Sequence, residues 1–186
     1  MKKIYCIGDC LTQGIGADYS YPYFLGKIFE RGREVINMGR TMIKAETLIK
    51  FPDLFMPEDC ATACVWCGTN DLFFETNPNI VFSNLKEYCG LLSKRSINIF
   101  VLTVLPRSNG VTRLEEFENN RKILNNMIRE NFATIDIAKN EKIGLSGCEN
   151  NKSYYNDKDS THLNNLGYMM VGTIAAETIL KGETYE

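Results

Sequence analysis

Short apolar runs rich in β-branched residues alternate with longer amphipathic stretches along this 186-residue chain. The runs at 3–8, 34–38, 61–67, 97–104 and 132–137 have the length and composition of strands. Between them, 79–95 places Ile80, Val81, Leu85, Tyr88, Leu91 and Leu92 near helical spacing, and 112–131 does the same with Leu114, Phe117, Leu124, Met127 and Ile128. A last helix is expected over 163–181, with Leu166, Met169, Met170, Thr173 and Ile174 facing inward. This βαβα rhythm predicts an α/β fold, a parallel sheet covered by helices on both faces. The Asn/Asp/Lys-rich stretch 149–159 reads as a long surface loop. Without a repeat or a low-complexity segment, the chain reads as one domain, 1–186.

Parallel strands joined by right-handed crossovers open every strand-to-helix loop on the same sheet edge. Cys10 follows the first strand, Asn37-Met38-Gly39 closes the second, and Gly68-Thr69-Asn70-Asp71 follows the third. Asp159-Ser160-Thr161-His162 comes after the fifth strand and before the last helix. Four polar loops therefore converge on one edge. His162 is the only histidine, so imidazole chemistry near neutral pH rests on it alone. Taken singly, each block has an ordinary reading: a backbone turn for Gly8-Asp9 and Gly39, an Asx turn for Asn70-Asp71, and a surface or core position for a lone histidine.

Together the four blocks carry a resemblance. Gly8-Asp9-Cys10-Leu11-Thr12-Gln13-Gly14, directly after Ile4-Tyr5-Cys6-Ile7, resembles the first block of the SGNH (GDSL-type) hydrolases, with cysteine where that family has serine. Asn37-Met38-Gly39-Arg40 resembles the second block, and Val65-Trp66-Cys67-Gly68-Thr69-Asn70-Asp71 resembles the third. Asp159 and His162, followed by Leu163-Asn164 and Gly167-Tyr168, are similar to the last. The resemblance implies a three-layer α/β/α sandwich with a flavodoxin-like five-stranded parallel sheet. It also implies Cys10 as nucleophile, His162 as base and then acid, and Asp159 as the group that orients the imidazole, with Asp157 a nearby alternative. The N–H groups of Cys10 and Gly39 and the Asn70 amide are the implied oxyanion donors, each worth about 3–4 kcal/mol in acyl transfer. The chemistry agrees, since a nucleophile needs a base and the base needs a third group to fix its tautomer.

Sulfur at position 10 modifies this plan. A thiol beside a helix N-terminus and a histidine is expected to have its pKa drawn down from about 8.5. A thiolate also leaves a tetrahedral intermediate more readily than an alkoxide, so thioesters, or acyl transfer to an amine or alcohol, suit it better than oxygen esters. The expected function is hydrolysis of an acyl ester or thioester through a Cys–His–Asp triad without metal or organic cofactor. The alternatives are an acyltransferase with the same site and a non-catalytic protein that binds an acyl or carbohydrate ligand. The partner is accordingly a small acyl ester, thioester or acylated carbohydrate. Tyr19, Tyr21, Tyr23 and Phe24 near the first loop, and Phe73 and Phe74 after the Asn-Asp turn, read either as pocket lining or as packed helix faces.

Composition narrows the setting. A net charge of −2 with mixed signs excludes a nucleic-acid stripe. No stretch reaches the roughly 18 apolar residues of a membrane span, and the N-terminal run is too short for a signal-peptide core. Seven cysteines, several inside apolar segments, fit reduced thiols in the cytoplasm. Cys60, Cys64 and Cys67 also match the Cys-x3-Cys-x-aromatic-Cys spacing of iron–sulfur radical enzymes. Along a strand, however, residues three apart point to opposite faces and cannot all hold one cluster.

Overall fold

The computed structural model describes residues 2–30 and 32–183; Met1, Arg31 and residues 184–186, which the expected span 1–186 includes, lie outside the described residues. Strands β1 (Lys2–Gly8), β2 (Arg33–Gly39), β3 (Thr62–Trp66), β4 (Asn98–Leu102) and β5 (Thr134–Ile135) form one sheet in the order β2-β1-β3-β4-β5. Every pairing is parallel. The helices are α1 (Cys10–Gln13), α2 (Tyr21–Ile28), α3 (Ala45–Lys50), α4 (Thr69–Phe73), α5 (Pro78–Ser93), α6 (Leu114–Asn131) and α7 (Asn165–Glu183). Among the described residues no helix is long and apolar enough to cross a membrane.

The period of two along the strands sorts the core into two layers. Ile4, Cys6, Cys64, Trp66, Phe100 and Leu102 pack with Leu25 of α2 and Tyr168, Val171 and Ile179 of α7. On the other face Tyr5, Ile7, Ala63, Val65 and Val101 pack with Leu48 of α3, Val81, Leu85 and Tyr88 of α5, and Leu124 and Ile128 of α6. Covering on both sides is why these strands read as continuous apolar runs rather than alternating ones. It yields the three-layer α/β/α architecture with the flavodoxin-like strand order. Cys64 and Cys67 fall in opposite layers, so they do not share a ligand position.

Three expectations need correction. In α7, Leu166 and Met169 are exposed, as is Thr173, while Tyr168, Val171, Ala175, Ala176 and Ile179 are buried. The helix packs on α2 through its small residues: a Cβ on Gly172 would stand 2.9 Å from Phe24 Cβ and 3.1 Å from the Tyr21 carbonyl oxygen. Close approach outranks side-chain bulk in choosing the buried face. Strand β5 covers only two residues rather than 132–137, because Asp136 is drawn off by Arg129, whose Nε and Nη2 donate to its two oxygens at 2.8 and 2.9 Å. The stretch 149–159 is anchored as well as exposed, since Tyr155 is fully buried and its hydroxyl donates to the Ile143 carbonyl at 2.6 Å.

Helix α6 holds the segment that leaves β4. Asn125, buried, accepts from the Val104 N–H at 2.7 Å and donates to the Val104 carbonyl at 2.9 Å. Arg121, also buried and paired with Glu118, adds a second donor to that carbonyl at 3.0 Å. An unpaired buried backbone group costs about 1–3 kcal/mol. Asn125→Ala leaves the Val104 N–H without its partner, and its expected cost is about 2–4 kcal/mol, read as a lower urea midpoint at unchanged denaturant slope.

Candidate active site

Chain order reverses between β1 and β3, and at such a switch point the loops leaving the two strands part to open a crevice at the carboxyl edge. Strand β1 ends at Gly8, and Asp9 caps α1 by accepting the Leu11 N–H on Oδ1 at 2.9 Å. That cap sets Cys10 as the first residue of a four-residue helix. Gly39, at the end of β2, lies against this helix so closely that a Cβ would stand 2.1 Å from the Gln13 nitrogen.

The loop before α7 brings the histidine to the thiol. Asp159 Oδ1 accepts the N–H groups of Thr161 at 2.9 Å and His162 at 2.7 Å, and Oδ2 lies 3.0 Å from His162 Nδ1. His162 Nε2 in turn lies 3.2 Å from Cys10 Sγ. With a carboxylate on Nδ1, the neutral imidazole carries its proton there and leaves Nε2 to accept from the thiol. Burial raises the Asp159 pKa, but the N–H groups of His162 and Thr161 and the imidazole outweigh it and hold the carboxyl below its ordinary value. Asp157 is exposed, and the contact to the imidazole belongs to Asp159.

Asn156 is a supporting residue that the sequence did not single out. Its side chain donates to the Gly16 carbonyl and its N–H donates to the His162 carbonyl at 2.8 Å, tying the histidine loop to the segment after α1. Asn165 does similar work by accepting the N–H groups of Asp18 and Tyr19, both at 3.1 Å. Asparagine-rich composition marked this region as loop; only the fold reveals which asparagines bridge.

The expected oxyanion donors are already engaged to different degrees. The Gly39 N–H donates to Asn37 Oδ1 at 2.8 Å. Asn70 donates one amide N–H to the Ile43 carbonyl at 3.0 Å, while neighbouring Asp71 accepts the Ala45 N–H on both oxygens at 3.1 Å. The Asn-Asp pair thus grips the loop between β2 and α3, a role beyond the Asx turn. The aromatic groups divide. Tyr21 is fully buried, whereas Tyr19 and Tyr23 are exposed and stacked with centroids 4.3 Å apart. Phe73 lies beneath the Arg107 guanidinium and Phe74 beneath the Lys44 ammonium, at 3.8 and 4.3 Å.

The electrostatics reverse one expectation. Cys10 is only 6% exposed, and burial pushes its thiol up to about 12, with Asp9 adding to the shift. Arg107 and the N–H groups of Cys10 and Leu11 pull the other way and do not prevail. Burial likewise drives the Asp9 carboxyl up to about 7, opposed by the Leu11 N–H. A helix of one turn offers too little dipole to stabilise a thiolate beside a buried acid. The resting pair is therefore a thiol hydrogen-bonded to imidazole rather than a thiolate–imidazolium ion pair.

Comparison with known proteins adds the family. Residues 6–170 match the model of the GDSL-like lipase/acylhydrolase family. Among solved structures, the lipase/acylhydrolase from Enterococcus faecalis is similar at 18% identity and a TM-score of 0.76, covering 96% of this chain and 95% of that one. A GDSL-like lipase from Bacteroides thetaiotaomicron VPI-5482 has 18% identity, a TM-score of 0.74 and coverages of 97% and 89%. A carbohydrate acetylesterase family member from Sinorhizobium meliloti has 15% identity, a TM-score of 0.70 and coverages of 96% and 97%. No curated protein sequence matches the chain.

A neutral thiol–imidazole pair has a pH signature. Alkylation of Cys10 by iodoacetamide, followed by peptide mapping, is expected to keep accelerating from pH 7 to at least about pH 10, because the thiolate fraction grows throughout that range. A rate that reaches its plateau below pH 7 would contradict the neutral pair.

Proposed function

The chain belongs to the GDSL-like lipase/acylhydrolase family and is an ester-bond hydrolase; from that premise we propose that it cleaves small acyl esters or thioesters through Cys10, His162 and Asp159. The observation that carries the reading is the unbroken hydrogen-bonded line from Asp159 Oδ2 to His162 Nδ1 at 3.0 Å and from His162 Nε2 to Cys10 Sγ at 3.2 Å.

The raised thiol pKa decides how the first step runs. Sulfur attacks the acyl carbon as His162 Nε2 removes the thiol proton, so the carbonyl π pair moves to oxygen and a tetrahedral oxyanion forms. Asp159 stabilises the imidazolium that results and keeps its ring aligned. The Cys10 N–H and the second amide N–H of Asn70 are the donors for that oxyanion, and the Gly39 N–H joins them by releasing Asn37. Collapse of the intermediate expels the alcohol or thiol, which takes the proton from His162 and leaves a thioester on Cys10. Water, deprotonated by the same imidazole, then attacks the thioester and frees the acid.

Proton delivery decides the partition of the intermediate. Cys10 sulfur is the better leaving group against an alkoxide, so an oxygen ester turns over only when the imidazolium protonates the departing oxygen in time. A thioester carries no such handicap, and an amine or alcohol in the cleft intercepts the acyl group as an acyltransferase would. Acylated carbohydrates belong to the same small-ester class. The seven cysteines stand as free thiols, which supports a reducing, cytoplasmic setting.

Kinetics on paired phenyl acetate and phenyl thioacetate test the reading. Cys10→Ala is expected to abolish turnover of both, and His162→Ala to lower kcat by at least about 10³-fold. Asn70→Ala is expected to lower kcat by about 10²- to 10³-fold. It also costs about 1–2 kcal/mol of stability, because the Ile43 carbonyl loses its partner. Undiminished kcat in Cys10→Ala would overturn the proposal, and undiminished kcat in Asn70→Ala would remove that residue from the oxyanion site.

A further inference from the structure

Arg107 lies in the loop that leaves β4, on the same sheet edge as Cys10 and His162, and the hydrolytic steps above do not use it. Its placement is over-determined. Asn125 and Arg121 of α6 fix Val104 at the base of the loop, and the Ser108 N–H donates to the Ser160 carbonyl at 3.2 Å, inside the loop that carries Asp159 and His162. The guanidinium lies over the Phe73 ring, its central carbon 3.8 Å from the ring centroid, and Nε donates to the Asn109 carbonyl at 3.1 Å. Phe73 closes α4, the helix whose first turn holds Asn70. Arg107 therefore spans the gap between the Asn70 helix and the histidine loop.

The side chain is half-buried, yet among the described residues no carboxylate lies within ion-pair distance of it, and both Nη groups lack a hydrogen-bond partner. Arg113, Arg121 and Arg129 face an acid at 2.8–3.0 Å, whereas Arg107, like Arg40 over Phe55 and Arg95 on the Met56 carbonyl, has no acid at that distance among the described residues. The two Nη groups are not buried, and a guanidinium fork left free of protein partners has the geometry for bidentate recognition of a planar anion. Burial lowers the Arg107 pKa, while Cys10, Asp159 and Asp9 act on it in the opposite sense, so its charge is felt at the thiol and at the acid beside the histidine.

We propose that Arg107, flattened on Phe73 with both Nη groups unpaired on the sheet edge that carries Cys10 and His162, is a specificity subsite for a carboxylate carried by the substrate. A single guanidinium fork suits a monoanion. The preferred substrates are then acidic esters or thioesters, with the carboxylate on either the acyl group or the leaving group. This inference rests on the acyl-hydrolase reading for its substrate class, but the subsite itself does not depend on turnover.

The test uses the wild-type chain, Arg107→Gln and Arg107→Lys with three substrates: 4-nitrophenyl acetate, mono-4-nitrophenyl succinate and 3-carboxy-4-nitrophenyl acetate. In the wild type, kcat/KM is expected to favour one anionic ester over the neutral one, and which of the two wins shows whether the carboxylate sits on the acyl or the leaving side. Arg107→Gln is expected to raise KM for that ester by about 10- to 100-fold with little change in kcat, to leave the neutral ester within about twofold, and to be partly rescued by Arg107→Lys. An equal loss on neutral and anionic esters, or no loss on either, would overturn the subsite. If the wild type turns over none of the esters, the hydrolase reading fails separately. Calorimetric binding of succinate monoamide then decides the subsite: binding that Arg107→Gln abolishes supports it, and absent or unaltered binding overturns it.

Discussion

A 3.2 Å contact between His162 Nε2 and Cys10 Sγ joins positions 152 residues apart, and much of the fold is a means of making it. The parallel sheet puts the end of β1 and the loop before α7 on one edge, but an edge is several strands wide. Asp159 supplies the remaining precision, since its two oxygens meet the Thr161 and His162 N–H groups and the imidazole at once. The same carboxylate thus shapes the loop and sets the ring, and Asn156 ties the loop to the segment that follows α1. Loosening any of these contacts moves the base away from the sulfur, which couples local loop geometry directly to proton transfer.

Replacing oxygen by sulfur in such a site does not by itself create a thiolate. Burial and the adjacent Asp9 raise the Cys10 thiol pKa, so in the proposed mechanism the histidine acts during the attack. The proposed mechanism is therefore that of a general-base-assisted nucleophile, with sulfur changing mainly which bond breaks when the intermediate collapses. Arg107 acts in the opposite sense, but burial and Asp9 outweigh it.

Much of this was legible in the chain. Both faces of β1, β3 and β4 are covered, so their apolar runs stood out, and the four polar loops at their ends announced the edge on which Cys10, His162 and Asp159 meet. Other features depend on contacts that local pattern does not encode. The buried stripe of α7 is chosen by Gly172, Ala175 and Ala176 fitting against α2, whereas a count of bulky residues selects Leu166 and Met169, which face solvent. The engagement of the Gly39 N–H by Asn37 is a matter of about an ångström and leaves no mark on spacing. Arg107 follows β4 in a loop that opens on the same edge as the others. It carried no motif, and its unpaired state emerges only once every nearby acid has been located.

The proposed function requires that Cys10 become acylated. Wild-type protein mixed with phenyl thioacetate, quenched in acid during the first turnovers and measured by intact mass with peptide mapping, is predicted to carry one acetyl group on the peptide containing Cys10. The adduct should disappear with time, and His162→Ala should form it far more slowly. Turnover of the thioester without an adduct at Cys10, or an adduct confined to another cysteine, would contradict the account.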